Sequence, residues 1–182
     1  MTTPARHYTL TEFLEVEEAS DVRHEFHAGQ IYAMAGGTPE HAALCAAIPG
    51  LLAQRLQGGS CRVYSSDLRI AAGGGLYTYP DAAIICGPPM RASESATHVT
   101  NPAVVFEVIS PSTEAYDRGE KRQHYQAMAS LEVYVLVHQA ERCIEVWRRQ
   151  SDSWVHAEHR DGTVSVVGAD FTVAELYALA GL

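Results

Sequence analysis

Residues 102–125 read PAVVFEVISPSTEAYDRGEKRQHY. The run Val104–Ile109 is apolar, β-branched and too short for a helix, which suits a strand at the centre of a sheet covered on both faces. One acid, Glu107, stands inside it. An ionised carboxylate in such a run costs several kcal/mol unless something compensates it. The segment that follows is helical in pattern and holds Lys121, the only lysine in a chain whose other Lys/Arg positions are all arginine. Asp117, Lys121 and Tyr125 fall at i, i+4 and i+8 and therefore share one helix face. A strand leading straight into this helix lets the helix return over about three turns, which can bring the ammonium back toward the strand's end.

A second acid lies upstream in YPDAAIICG (79–87), where Asp81 follows Pro80 at the mouth of another compact β-rich run. Two readings are open. Asp81 caps a turn while Glu107 pairs with an arginine, or the two acids sit on neighbouring strands and converge on one divalent cation. Mg²⁺ is commonly held by one or two carboxylates and keeps several waters. An ammonium beside such a site can orient the attacking water and stabilise charge developing on a phosphate. Lys121 could instead form an i,i+4 surface pair with Asp117. Two acids, an amine and Mg²⁺ together describe phosphodiester hydrolysis.

Outward from these segments, YTLTEFLEVEEA opens with Thr9 three residues before Glu12, a capping-box pattern for a short first helix ending near Ser20. RHEFHAGQIYAMAG alternates about His27-Ala28-Gly29-Gln30 as a β-hairpin does, with Glu25 in its first arm. TPEHAALCAAIPGLLAQRLQ is a long helix with Thr38 as N-cap and Pro39 at its first position; Pro49 should kink or split it. CRVYSSDLRIAA gives one or two strands and GGG at 73–75 a hairpin tip. EVYVLVH, CIEVWRR and SWVHAEH follow at meander spacing, and TVAELYALA forms a final helix capped by Thr172. The fold class is α+β, a mixed β-sheet flanked by helices.

The 182 residues, 47% hydrophobic, are expected to form a single domain over 1–182. No apolar run reaches the roughly 18 residues of a membrane span, and MTTPARHYTLTEF lacks an apolar leader core, so no membrane partner and a cytoplasmic location are expected. Cys45, Cys61, Cys86 and Cys143 show no C-x-x-C pair and read as reduced core thiols. A formal charge of −9 argues against non-specific wrapping of nucleic acid. It leaves room for a local basic groove from Arg118, Lys121 and Arg122, whereas Arg148 and Arg149 read as a solvated face.

The order of these pieces, RHEFHAGQIYAMAGGTPEH, YSSDLRI, YPDAAII, PAVVFEVISPSTEAYDRGEKRQHY, EVYVLV and FTVAEL, resembles the Uma-two-type restriction endonuclease family of the PD-(D/E)XK nuclease superfamily. The resemblance covers nearly the whole chain and implies a restriction-endonuclease-like core. It implies Asp81 and Glu107 as metal-binding acids, the Val108 carbonyl as a further ligand, and Glu25 as a third carboxylate. Mg²⁺ (with Mn²⁺ as a substitute) would be the cofactor and DNA the substrate. The superfamily's lysine stands two residues after the acid, where this chain has Ile109, so Lys121 would be a migrated catalytic lysine. The alternative is a catalytically inactive, homodimeric interaction module that keeps the nuclease fold.

Other signals carry less. HEFH and HAEH are not zinc motifs, since i,i+3 residues on a strand point to opposite faces. His41 either borders the site or is a structural histidine; Asp67 either approaches the cleft or forms a turn; Tyr125 either orients Lys121 or packs on the buried helix face.

Overall fold

The computed structural model describes residues 6–182. Residues 1–5, part of the stretch read as lacking a leader, lie outside it. Helix α1, Leu10–Ala19, starts on the expected capping box, with Thr9 and Glu12 exchanging side-chain and backbone hydrogen bonds, and ends at Ser20. Strands β1, His24–His27, and β2, Gln30–Ala33, form the expected hairpin, whose turn residues Ala28 and Gly29 both take positive φ, 49° and 78°.

Helix α2, Pro39–Arg55, is capped by Thr38 and runs through Pro49 without splitting. Its Leu44, Ala47, Ile48, Leu51 and Leu52 recur at helical spacing and are buried, and packing along this whole face sustains the helix past the proline.

The chain then forms β3, Cys61–Ser65, β4, Arg69–Ala71, a 3₁₀ turn at Gly73–Gly75, β5, Tyr77–Thr78, and β6, Ala82–Cys86. Strands β7, Arg91–Ala92, and β8, Ser95–Val99, are a pair that the sequence reading left unassigned. After β9, Val104–Ile109, come a short helix α3, Glu114–Tyr116, a π-turn at Asp117–Lys121 and α4, Arg122–Gln126. Strands β10, Val133–His138, β11, Ile144–Gln150, and β12, Ser153–His159, form the expected meander. A further hairpin, β13, Thr163–Val166, with β14, Ala169–Thr172, was also unassigned and precedes α5, Val173–Leu179, capped by Thr172.

These strands make one mixed sheet in the order β12-β11-β10-β9-β6-β3 and a second in the order β2-β1-β5-β4-β8-β7. In the first, β9 and β10 are parallel and joined by the α3–α4 crossover, while β6 runs antiparallel to β9. Strand β9 is buried at every residue. Val104, Phe106 and Val108 pack with α2 and α5, and Val105 and Ile109 pack with Tyr125, Met128 and Leu131 on the other face. The architecture is thus α+β with mixed sheets and flanking helices.

Two expectations are corrected. Cys61 and Cys86 lie directly opposite on β3 and β6, with Cα atoms 3.9 Å apart, and are joined as a disulfide; only Cys45 and Cys143 are free. A separation of 25 residues gave no hint of the pairing, because strand register alone sets it. Arg149 is not on a solvated face: it donates to the carbonyls of Leu131, Gln126 and Met128 and fixes the loop ahead of β10. Among the described residues, no helix is long and apolar enough to cross a membrane.

His98, fully buried on β8 beside Tyr77 and Phe13, has Nδ1 2.7 Å from Ser95 Oγ. Burial, with Arg69 nearby, pulls its pKa from 6.5 down to about 4. Between those values the unfolded chain binds the proton and the folded chain refuses it, so stability is full above pH 6.5 and falls as pH drops toward 4. The loss should approach roughly 3 kcal/mol, measurable by urea unfolding across pH 4–7. His98→Leu should flatten that part of the profile.

Candidate active site

The segment Tyr77–Cys86 runs through both sheets, with β5 in one and β6 in the other. Register places a functional side chain at each end of the crossing. Phe26 pairs with Tyr77 on antiparallel β1 and β5, so the next step sets Glu25 against Thr78, whose hydroxyl donates to Glu25 Oε1. Ala82 pairs with Phe106 on antiparallel β6 and β9, so the next step sets Asp81 against Glu107. Both of these acids point to the sheet face that carries Ala83, Ile85, Val105 and Ile109. The crossover helix returns Lys121 to this same face.

Lys121 is 5% exposed and Glu107 4%. The ammonium lies 2.9 Å from Glu107 Oε1, 3.0 Å from Glu25 Oε1 and 3.9 Å from Asp117 Oδ1. The surface-pair reading of Lys121 is thereby corrected: the Asp117 contact exists, but both partners are buried. Tyr125 OH donates to Glu107 Oε1 at 3.0 Å, and Tyr134 OH donates to the Asp117 carbonyl at 3.0 Å. Tyr125 therefore both packs on the buried face and orients the acid that holds Lys121. The π-turn carries Asp117 and Lys121 together, a local irregularity often found where a helix presents functional groups.

Asp81 is positioned by a different set. Its Oδ2 accepts from the Val108 amide at 2.7 Å and lies 3.5 Å from His41 Nε2. His41 Nδ1 lies 3.3 Å from Cys45 Sγ one turn along α2. His41 thus borders the site. Asp67 stays outside, exposed and paired with Arg23. Glu25, His41, Asp81, Glu107 and Lys121 line one cleft of about 820 Å³.

Acidic side chains outnumber cationic ones in the cleft. Burial pushes Glu107 well above the usual carboxylate range despite the opposing pull of Lys121. Burial also raises Asp117, again against Lys121. Burial opposes the charge on Asp81 too, but hydrogen bonds from His41 and the Val108 amide outweigh it and hold the carboxyl low. The Lys121 ammonium suffers the same burial, yet Glu107, Glu25 and Asp117 raise its pKa well above the ordinary lysine value. His41 is raised by its hydrogen bond to Asp81. Four acidic side chains therefore share one fixed ammonium and one histidine, and burial pushes two of them, Glu107 and Asp117, toward the protonated form.

Sequence reasoning named Asp81, Glu107, Lys121, Glu25 and Val108, and the structure brings all five to this cleft. It missed Thr78, Tyr134 and Cys45, which reach the cluster only through strand register and helix packing, and gave Asp117 no role beyond its helix face. The local basic groove for which the sequence left room does not form. Arg118 is taken up by Glu114 and Glu145, and Arg122 lies over Trp147 with its guanidinium 5.3 Å from the ring centroid.

The fold is thus an α+β mixed sheet flanked by helices, with acids on adjacent strands and a lysine on the crossover helix sharing one cleft. The chain belongs to the Uma2 family, described as "Putative restriction endonuclease", whose model matches residues 10–177. It is 35% identical over 171 residues to the uncharacterised protein slr1290 of Synechocystis, covering 91% of this chain and 89% of that one. It is 30% identical over 152 residues to sll1609 of the same organism, covering 82% and 86%. Its fold matches a crystal structure of a "putative nuclease belonging to DUF820" from Anabaena variabilis, with a TM-score of 0.77, 18% identity, and coverage of 94% of this chain and 98% of that one.

Lys121→Met should leave three carboxylates without their cation and cost about 3–5 kcal/mol of folding stability. Adding Glu107→Gln should recover part of the loss, because it removes one of the stranded charges. Urea unfolding of both single variants and the double variant gives the coupling.

Proposed function

We propose that this protein is a Mg²⁺-dependent endonuclease that hydrolyses phosphodiester bonds of DNA, with Asp81 and Glu107 as its principal metal-binding acids. The observation that carries the reading is the pattern of engagement of the acids. The contacts that pin Glu107 and Glu25 fall on Oε1, and those that pin Asp81 fall on Oδ2. None of these contacts uses Glu107 Oε2, Glu25 Oε2 or Asp81 Oδ1. Each acid is held in place while a second oxygen stays free of those bonds, in a cleft where acids outnumber cationic side chains. Carboxylate and carbonyl oxygens are the donor set that hard divalent cations prefer.

Asp81, Glu107 and the Val108 carbonyl would hold the ion, and Glu25 would contribute through Oε2. The ion, when bound, supplies water activation and neutralisation of phosphate charge. The chain's own residues do the rest. Lys121, kept charged by Glu25 and Glu107, spends two of its three N–H groups on them and has one left to donate to the attacking water. Tyr125 holds Glu107 in the orientation that leaves Oε2 free. His41 keeps Asp81 ionised and is itself a candidate to pass a proton to the leaving oxygen. Mn²⁺ fits the same oxygen set.

Purified protein with Mg²⁺ or Mn²⁺ should cut plasmid DNA, and Asp81→Ala should lower that cleavage at least 100-fold while retaining the fold by circular dichroism. Cleavage unchanged by Asp81→Ala would refute the assignment. Calorimetry that detects neither ion binding to well-folded wild type would favour the inactive interaction module.

A further inference from the structure

The cleft does not use His27, Glu120 or His124, although all three stand beside it. Their ligand atoms lie within 4.8 Å of one another. His27 ends β1, two residues beyond Glu25 and on the same strand face. Glu120 precedes Lys121 in the π-turn, and His124 follows one turn later on α4. His27 Nδ1 is 3.2 Å from Glu120 Oε1, His124 Nε2 is 3.9 Å from the same oxygen, and the two rings are 4.4 Å apart between centroids.

We propose that His27, Glu120 and His124 form a second cation site, selective for a borderline transition ion of the zinc class, that clips β1 to the helix bearing Lys121. Two imidazoles and one carboxylate are a donor set that suits zinc and is poorly matched to Mg²⁺. The spacing fits as well. Tetrahedral coordination at about 2.0–2.1 Å per bond sets ligand atoms roughly 3.3 Å apart, so the observed 3.2 and 3.9 Å require only small shifts.

The surroundings of His124 are built for ligation. Its Nδ1 lies 2.7 Å from the Gly73 carbonyl, which can only accept, so Nδ1 carries the hydrogen and Nε2 presents its lone pair to the cluster. A backbone carbonyl behind a metal-binding histidine performs this same tautomer selection. The turn is shaped around the ring: a Cβ on Gly74, where φ is +67°, would meet His124 Nδ1 at 2.5 Å, and one on Gly73 would meet the His124 carbonyl at 2.9 Å. The glycine run at 73–75 is therefore more than a hairpin tip, since it lets the backbone approach His124 closely enough to orient it.

Under this proposal HEFH would supply one zinc ligand. Its two histidines do not act as a pair, but His27 finds partners on another element. A bound ion would join the two elements that carry Glu25 and Lys121 and so hold that ion pair in register. The proposal stands independently of the nuclease reading.

The test uses tag-free, metal-stripped protein titrated with Co²⁺ by optical absorption and with Zn²⁺ by calorimetry, in wild type, His27→Ala and Glu120→Gln. Glu120 is exposed, so its variant should keep the fold, and circular dichroism checks both variants. The expected result, beside any ion held at Asp81 and Glu107, is an ion with an all-nitrogen-and-oxygen spectrum whose affinity falls at least tenfold in each variant, and a Zn²⁺-induced rise in melting temperature that both variants lack. Absence of binding overturns the proposal. So does binding undiminished in both variants, including any whose sulfur-to-metal charge-transfer band places the ion at Cys45 or Cys143.

Discussion

The ammonium of Lys121, enclosed by Glu25, Glu107 and Asp117, is the interaction on which the rest of the site depends. It joins three segments that share no backbone hydrogen-bond ladder: the first hairpin, the central strand β9 and the crossover helix. Without it, an acid in the middle of a strand buried at every residue would be an unpaired charge in a low-dielectric interior, a cost no hydrophobic packing nearby could offset. The pair is retained although an apolar pair of similar volume could pack as well or better.

The second constraint is the path of Tyr77–Cys86. By leaving one sheet at Thr78 and entering the other at Ala82, this segment fixes Glu25 and Glu107 relative to each other through two antiparallel registers. The site is therefore set by strand pairing, and a one-residue slip in either register would turn an acid to the opposite face. The Cys61–Cys86 disulfide closes the far end of β6 against β3.

Much of the fold was legible in the sequence where local chemistry decides. The capping box at Thr9, the Thr172 cap, Pro39 behind Thr38, the Ala28-Gly29 turn and the meander at 133–159 each form because neighbouring residues suffice to specify them. The short β7–β8 pair and the β13–β14 hairpin were not legible. Residues 88–101 contain prolines and polar residues in place of an alternating pattern, and their strands exist because other strands accept them as partners. Arg149 was misread for the same reason, since a guanidinium that satisfies three carbonyls looks no different in sequence from a solvated one.

The sequence by itself determined that an acid would be buried in a strand, that one lysine would follow it on a helix, and that both had to find a partner, because the cost of an uncompensated buried charge follows from composition and local pattern alone. Only the tertiary structure decided which groups meet. Thr78 against Glu25, His41 against Asp81, and His27 beside His124 all depend on register and crossover geometry between segments distant in the chain. Those contacts form because packing both faces of β9 leaves the chain few other ways to return.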